Sequence, residues 1–268
     1  MAHEAIAELI EFTEAAACVD MIRAAPASLG LSVDASDAFV ALFAPAFDIV
    51  LFNRTIGLGV RVPATRESVD ALIAKYRASG VTRFGIQLSP AARPADVSGW
   101  LTAHGLQVSD YWTKVYMPHD AGRAVETDLR ITRIDAGLAD RFADVACTAF
   151  GMPPALRPFI GATIGKAGWH HYIAWDGPEA AAVGALFVKG DVGWLGIGAT
   201  LPAYRRRGAQ GALMARRIAD GAALGCRWFT SETGQDQPDK PNPSFHNMLR
   251  TGFGVAYHRP NYMPVSER

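Results

Sequence analysis

Arg205-Arg206-Arg207-Gly208-Ala209-Gln210-Gly211-Ala212, two residues after Thr200-Leu201-Pro202, is the stretch in which residue type and spacing can do chemistry. Residues 194–225 read as a strand, a short Pro-containing turn, then three arginines and two glycines opening a helix with Leu213, Met214, Ile218 and Leu224 on its apolar side. The first N–H groups of a helix have no intrahelical partner and the positive end of its dipole lies there. A pyrophosphate can therefore be held by main chain, with glycine permitting close approach. Arginines beside the turn add charge-assisted hydrogen bonds. A dinucleotide site would need G-x-G-x-x-G opening a parallel βαβ unit with an acidic residue about 20 positions on. Gly196-Ile197-Gly198 falls within a hairpin strand instead.

With these residues in view, the segment resembles motif A of the GNAT superfamily of N-acetyltransferases, Gln/Arg-x-x-Gly-x-Gly/Ala after a V-x-P strand end. Gln210 stands where the family has a small residue, with Gly211 beside it. Downstream, Asn242-Pro243-Ser244 through Gly252-Phe253 resembles the family's N-x-x-A helix ending in Gly-Phe, which borders the pantetheine arm. The resemblance covers 129–268 closely and 1–117 by order of elements. It implies acetyl-CoA as co-substrate, with no metal, in a V-shaped gap between the strand ending near Ala199 and the strand 226–233. The pantetheine would pair with the backbone of Ile197, Ala199 and Thr200, and the pyrophosphate with 206–212 beside Arg205. Asn242 and Ser244 would lie along the arm. An acceptor amine would then attack the thioester carbonyl directly, with a main-chain N–H near Ala199 as oxyanion donor.

Direct attack needs a neutral amine and a proton for the leaving thiolate. Many family members carry an acid on the strand before motif A, but Trp194 to Ala199 contains none, and Met248 replaces the helical Tyr expected four residues before the Gly-Phe pair. Glu232, at the end of the following strand, is the residue expected as base or amine-binding carboxylate, and Tyr257 as its catalytic partner. Ser244, His246 and Tyr262 are the other substitutes. The expected activity is acetyl transfer to a primary amine of a small molecule or peptide. A longer acyl-CoA, or a CoA-binding sensor or scaffold whose chemistry has lapsed, fits the same motif.

The elements that must position this motif recur along the chain. Helical periodicity covers 4–24 and 65–79, where Val69, Leu72, Ile73 and Tyr76 repeat at three- and four-residue spacing. Strands are expected at 48–52, 54–60, 82–88 and 111–117, and the polar stretch 118–128 reads as a linker. After it come strand 129–134, helices near 137–149 and 154–165, and three strands joined by turns at Asp176-Gly177-Pro178-Glu179 and Lys189-Gly190-Asp191. Helix 208–224, strand 226–233, helix 243–251 and strands near 253–264 complete the order. Gly57-Leu58-Gly59-Val60 aligns with Gly196-Ile197-Gly198-Ala199, and Trp100-Leu101 through Gly105-Leu106 with Met248-Leu249 through Gly252-Phe253. The reading is a tandem α+β protein of two GNAT-like domains, each a mixed, mostly antiparallel sheet flanked by helices. Residues 1–122 form a degenerate copy without an Arg-rich Gly turn, and 123–268 the catalytic domain.

Composition sets the outer bounds. The chain has 268 residues, and 26 basic side chains balance 26 acidic ones. No basic excess exists for neutralising phosphates, so nucleic-acid and anionic-membrane binding are not expected. Cys18, Cys147 and Cys226 are odd in number and lie in apolar runs, which suggests neither a disulfide framework nor a zinc site. His170 and His171 are adjacent in a strand, point to opposite faces and cannot share a metal. MAHEAIAELIEF lacks the basic and apolar regions of a signal peptide, and no apolar run approaches about 18 residues. A cytoplasmic protein, monomer or homodimer, is the expectation.

Overall fold

The computed structural model describes residues 3–265 and contains two compact units. One comprises the chain up to Arg23, Ala27–Lys114 and the chain from Ala256; the other comprises Ala24–Pro26 and Val115–Val255. A cut at 122/123 therefore differs from the division by compactness, which places 115–122 with the second unit and the C-terminal residues with the first. In chain order the elements begin with α1 (His3–Ala24), β1 (Ser32–Ala35), β2 (Val40–Phe43), β3 (Arg54–Ile56), α2 (Arg66–Ala78), β4 (Gly85–Gln87), α3 (Val97–Ala103) and β5 (Leu106–Pro118). They continue with β6 (Arg130–Ile134), α4 (Ala139–Phe150), α5 (Arg157–Gly161), β7 (Trp169–Asp176), β8 (Glu179–Lys189), β9 (Val192–Thr200), α6 (Ala209–Ala223), β10 (Trp228–Gly234), α7 (Pro243–Thr251) and β11 (Gly254–Pro264).

In the first unit the strand order is β1-β2-β3-β4-β11, and β11 is followed by β5, whose residues up to Lys114 belong to this unit. β3 and β4 run parallel, with Arg54 opposite Gly85, and β11 is antiparallel to β4, with Asn261 opposite Gln87. The parallel pair requires a crossover, supplied by α2. That helix starts at a reciprocal cap: Thr65 Oγ1 accepts from the Ser68 amide and Ser68 Oγ accepts from the Thr65 amide. Val69, Leu72, Ile73 and Tyr76 form its buried face, and the Tyr76 ring stacks on Phe84 at a centroid distance of 4.4 Å.

The sequence reading misjudged parts of this unit. Residues 48–52 form a 3-10 turn over Val50–Phe52, because the Asn53 side chain ties back to the Ala44 amide and the Phe47 carbonyl. The strand from 54 stops at Ile56, where Gly57 and Gly59 take positive φ. β1 and β2 were not foreseen, being only four residues each.

The first unit also buries charge. Arg259 on β11 is fully buried between Glu11 and Glu14 of α1, with N–O distances of 2.7 and 2.8 Å. Lys114 reaches Glu14 at 2.8 Å and Arg54 reaches it at 3.1 Å. Burial alone would raise the Glu14 carboxyl, but Arg259, Lys114 and Arg54 pull it far below the ordinary carboxylate range.

In the second unit the order is β6-β7-β8-β9-β10, antiparallel except for the parallel β9–β10 pair. β8 is buried along nearly its whole length, so its sequence AAAVGALFV is an unbroken run of small and apolar residues without polar alternation. Its core gathers Leu186, Leu195, Leu213, Met214, Ile218 and Phe229 between the sheet and α6. His171 on β7 packs edge-on to Phe142, within 3.2 Å of the Thr163 hydroxyl, and burial draws its imidazole down to about 3, with His170 adding to the shift. The helix expected at 154–165 is a 3-10 turn followed by the five-residue α5.

Candidate active site

The parallel ladder between β9 and β10 is short. It pairs Val192 with Trp228, Gly193 with Phe229 and Trp194 with Thr230. Ser231 Oγ then donates to the Leu195 carbonyl at 2.7 Å, beyond which β9 runs on to Thr200 and β10 to Gly234 without pairing to each other. A second irregularity lies on the other edge of β9. Ala185 faces Gly196 and Val183 faces Ala199, so Ile197 and Gly198 together oppose Gly184. Ile197 has φ +51°, a left-handed conformation costly for a β-branched residue. Bulges of this kind re-aim a strand's backbone. The strands thus diverge where pairing with the backbone of Ile197, Ala199 and Thr200 was expected.

From Thr200 the chain turns over Pro202–Tyr204 and enters the Arg-rich loop. Arg206 (φ +66°) and Gly208 (φ +74°) are both left-handed and flank Arg207. Such alternation turns successive N–H groups toward one concavity, an arrangement that suits an anion. α6 begins at Ala209 with Gly208 as N-cap and no side-chain cap, so Ala209, Gln210 and Gly211 offer first-turn amides, while the Ala212 amide bonds the Gly208 carbonyl. Gly208 is required there, since a Cβ would collide with the Glu126 carbonyl as well as straining the φ.

Residues 125–128, read from sequence as linker, brace this loop. The Thr127 hydroxyl donates to the Arg207 carbonyl at 2.7 Å, and Val125 lies against Gly211. Arg207 itself is held by Asp176 at 2.7 Å and by Asp128. Hydrogen bonds from Arg207 hold both carboxyls below their ordinary value. Of the three expected phosphate arginines, Arg207 is thus engaged within the protein. Gln210, where a small residue was expected, donates to Ser244 Oγ at 2.7 Å. Asn242 is the N-cap of α7: its Oδ1 accepts from the Ser244 and Phe245 amides at 3.0 and 3.3 Å, and its Nδ2 donates to Thr233 and Gly234. The side chains of Gln210, Asn242 and Ser244 therefore bond to one another's surroundings.

Glu232 lies beyond the last ladder residue of β10, and the Trp194 indole N–H donates to its two carboxylate oxygens at 3.0 and 3.2 Å. Tyr257, the other expected catalytic residue, is engaged elsewhere. Its hydroxyl donates to Glu11 at 2.7 Å within the buried charge cluster of the first unit, and burial, with Glu11 next, pushes it well above the ordinary phenol value. The Cys226 thiol is pushed up to about 11, chiefly by burial, and is no nucleophile at neutral pH.

Sequence reasoning missed Arg217, Thr127, Asp128 and Asp176. Arg217 is only 2% exposed, bonds backbone carbonyls and has no carboxylate partner among the described residues; burial draws it down to about 10, so it stays charged at neutral pH. The signal available was an arginine on the otherwise apolar stripe Leu213, Met214, Ile218. Among the described residues no group of three or more His, Cys, Asp or Glu side chains could hold a metal, and no helix is long and apolar enough to cross a membrane.

A scan against protein-family models and a search of curated proteins found no match. Solved structures do match. A GCN5-related N-acetyltransferase from Kribbella flavida superposes with a TM-score of 0.67 at 13% identity, covering 96% of each chain. One from Sphaerobacter thermophilus gives 0.60 at 14% identity, over 86% of this chain and 81% of that one. A tandem GNAT protein from the clavulanic acid biosynthesis pathway gives 0.59 at 14% identity, over 89% and 85%. At such identities the likeness is one of fold. The chain has an α+β fold like that of GNAT N-acetyltransferases, and a tandem GNAT protein is among its structural neighbours.

Proposed function

We propose that the protein is an acyltransferase whose second unit binds acetyl-CoA between β9 and β10 and passes its acetyl group to a primary amine of a small molecule or peptide. The observation that carries the reading is the divergence of these strands after Trp194 and Thr230 beside an α6 N-terminus without a side-chain cap. The residues present fit the co-substrate. Amides 209–211 and the left-handed Arg206 and Gly208 would take the pyrophosphate, with Arg205 and Arg206 adding charge. The re-aimed backbone at Ile197, with Ala199 and Thr200, would pair with the pantetheine amides.

When bound, acetyl-CoA supplies an activated carbonyl. The chain's part is to hold an amine in line with it, accept a proton from that amine and donate an N–H to the developing oxyanion; as the C–N bond forms the C–S bond would break, and CoA would leave as the thiolate and take a proton from solvent. Glu232, oriented by Trp194, is the proposed amine-binding carboxylate and base, and the backbone near Ala199 the oxyanion donor. Tyr257 is not carried forward. The first unit is proposed to hold no co-substrate, because the α2 N-terminus is closed by its own Thr65 and Ser68 side chains. A Cβ at Gly59 would meet the Arg93 carbonyl at 2.8 Å, so this turn is already packed against backbone.

Calorimetric titration of acetyl-CoA into the wild type and an Arg206→Glu, Gly208→Glu double variant, with CoA release followed over an amine panel, tests the reading. One site, lost in the variant, with release that falls in Glu232→Gln is the expected result. A wild type that binds no acetyl-CoA overturns it. Binding without release toward any amine favours the sensor reading, which the absence of an acid between Trp194 and Ala199 also supports.

A further inference from the structure

Arg217 projects from the middle of α6, the helix whose first turn carries the phosphate loop, onto the bulged edge of β9. Its Nη1 donates to the Ala185 carbonyl at 2.9 Å and the Gly196 carbonyl at 3.1 Å, one on each strand flanking the bulge. Its Nε donates to the Leu213 carbonyl of its own helix at 3.0 Å, which fixes the side chain from behind. The guanidinium occupies space that only glycine leaves open, since a Cβ on Gly184 would lie 2.8 Å from Cζ. Gly184 is the residue opposite the bulge. In a trans peptide the carbonyl and N–H point in opposite directions. With the Gly196 carbonyl drawn to Arg217, the Ile197 N–H is directed away from it. A charged donor on that carbonyl also polarises the peptide and strengthens its N–H as a donor.

We propose that Arg217, seated against Gly184, is a positioning residue that holds the Ile197–Gly198 bulge in the form that presents the Ile197 amide to the pantetheine arm of an acyl-CoA. This rests on the acyl-CoA reading above. Two ligands separate the halves of the site: acetyl-CoA, which uses loop and bulge, and adenosine 3′,5′-bisphosphate, which carries no pantetheine and reports on the nucleotide end.

Arg217→Met should weaken acetyl-CoA by about tenfold and leave the bisphosphate within about twofold, with Arg217→Lys intermediate. Amide hydrogen exchange on the unliganded protein reads the brace without any ligand. Exchange at 197–200 should quicken in Arg217→Met while β7 is unchanged. Should Arg217→Met fail to fold, Gly184→Ala and Arg217→Lys carry the same comparison. Equal acetyl-CoA affinity with unchanged exchange at 197–200, or proportional loss of both ligands, overturns the proposal. A wild type that binds neither ligand removes the acyl-CoA reading, and the exchange result then decides by itself whether Arg217 holds the bulge.

Discussion

Gln210 donates to Ser244 across 2.7 Å and accepts from Asn247 at 2.5 Å, so the first turn of α6 is stitched to the first two turns of α7. Gln210→Ala removes both bonds and leaves two polar groups to find water. We expect a loss of about 1–2 kcal/mol in urea unfolding. Calorimetry should show acetyl-CoA weakened by a few-fold, about 1 kcal/mol, as the loop loses its neighbour. Tighter binding would show that this contact opposes ligand entry.

Arg206 and Arg207 are adjacent yet should behave differently. Arg207 is held by Asp128 and Asp176, so Arg207→Ala should lower Tm with acetyl-CoA affinity within about threefold of wild type. Arg206→Ala should leave Tm in place and weaken acetyl-CoA by about tenfold, with a shallower dependence on salt. The reverse pattern would assign the phosphate to Arg207.

Glu14 sits among three buried cations, and Glu14→Gln leaves Arg259, Lys114 and Arg54 short of a counter-charge. Removing one member of a buried ionic group costs about 3–5 kcal/mol, measurable by urea unfolding. Because the folded carboxyl is held below its ordinary 4.5, this stabilisation is complete above that pH and is lost as pH falls beneath it. Wild type should lose stability more steeply than Glu14→Gln below pH 4.5.

His171 acts in a milder range. Its imidazole is ordinary at 6.5 when unfolded and drawn down to about 3 when folded, so the unfolded chain binds the extra proton between those values. Stability is complete above pH 6.5 and falls as pH drops toward 3, by at most about 1.4 kcal/mol per unit. His171→Gln should flatten urea midpoints between pH 6 and 4; parallel curves for the two proteins would exclude His171 as the source.

The second unit was largely legible because its signals are local. Helix 208–224 starts at glycine after arginines, and α6 begins within one residue of that reading. The hairpin turns carry glycine, and β7, β8 and β9 follow. What failed depends on partners distant in sequence. Nothing near Tyr257 announces Glu11, 246 positions away, and nothing near Arg207 distinguishes an ion-paired arginine from a ligand-binding one until Asp176 is placed beside it. Likewise, 48–52 is apolar enough for a strand, and only the Asn53 side chain decides otherwise.

Strand β11 lies beside β4 within the sheet of the first unit, yet it is encoded far along the chain from it. Vectorial synthesis therefore imposes a delay. At about 5–20 residues per second, the roughly 170 residues between Gln87 and Arg259 take on the order of 8–34 s to emerge. Throughout that interval Glu11 has been translated without Arg259, and Glu14 without one of the three cations that surround it. A nascent first unit must wait with β4 unpaired on the side that β11 will occupy and with Glu11 short of its arginine, which makes C-terminal truncation a lesion of the N-terminal half.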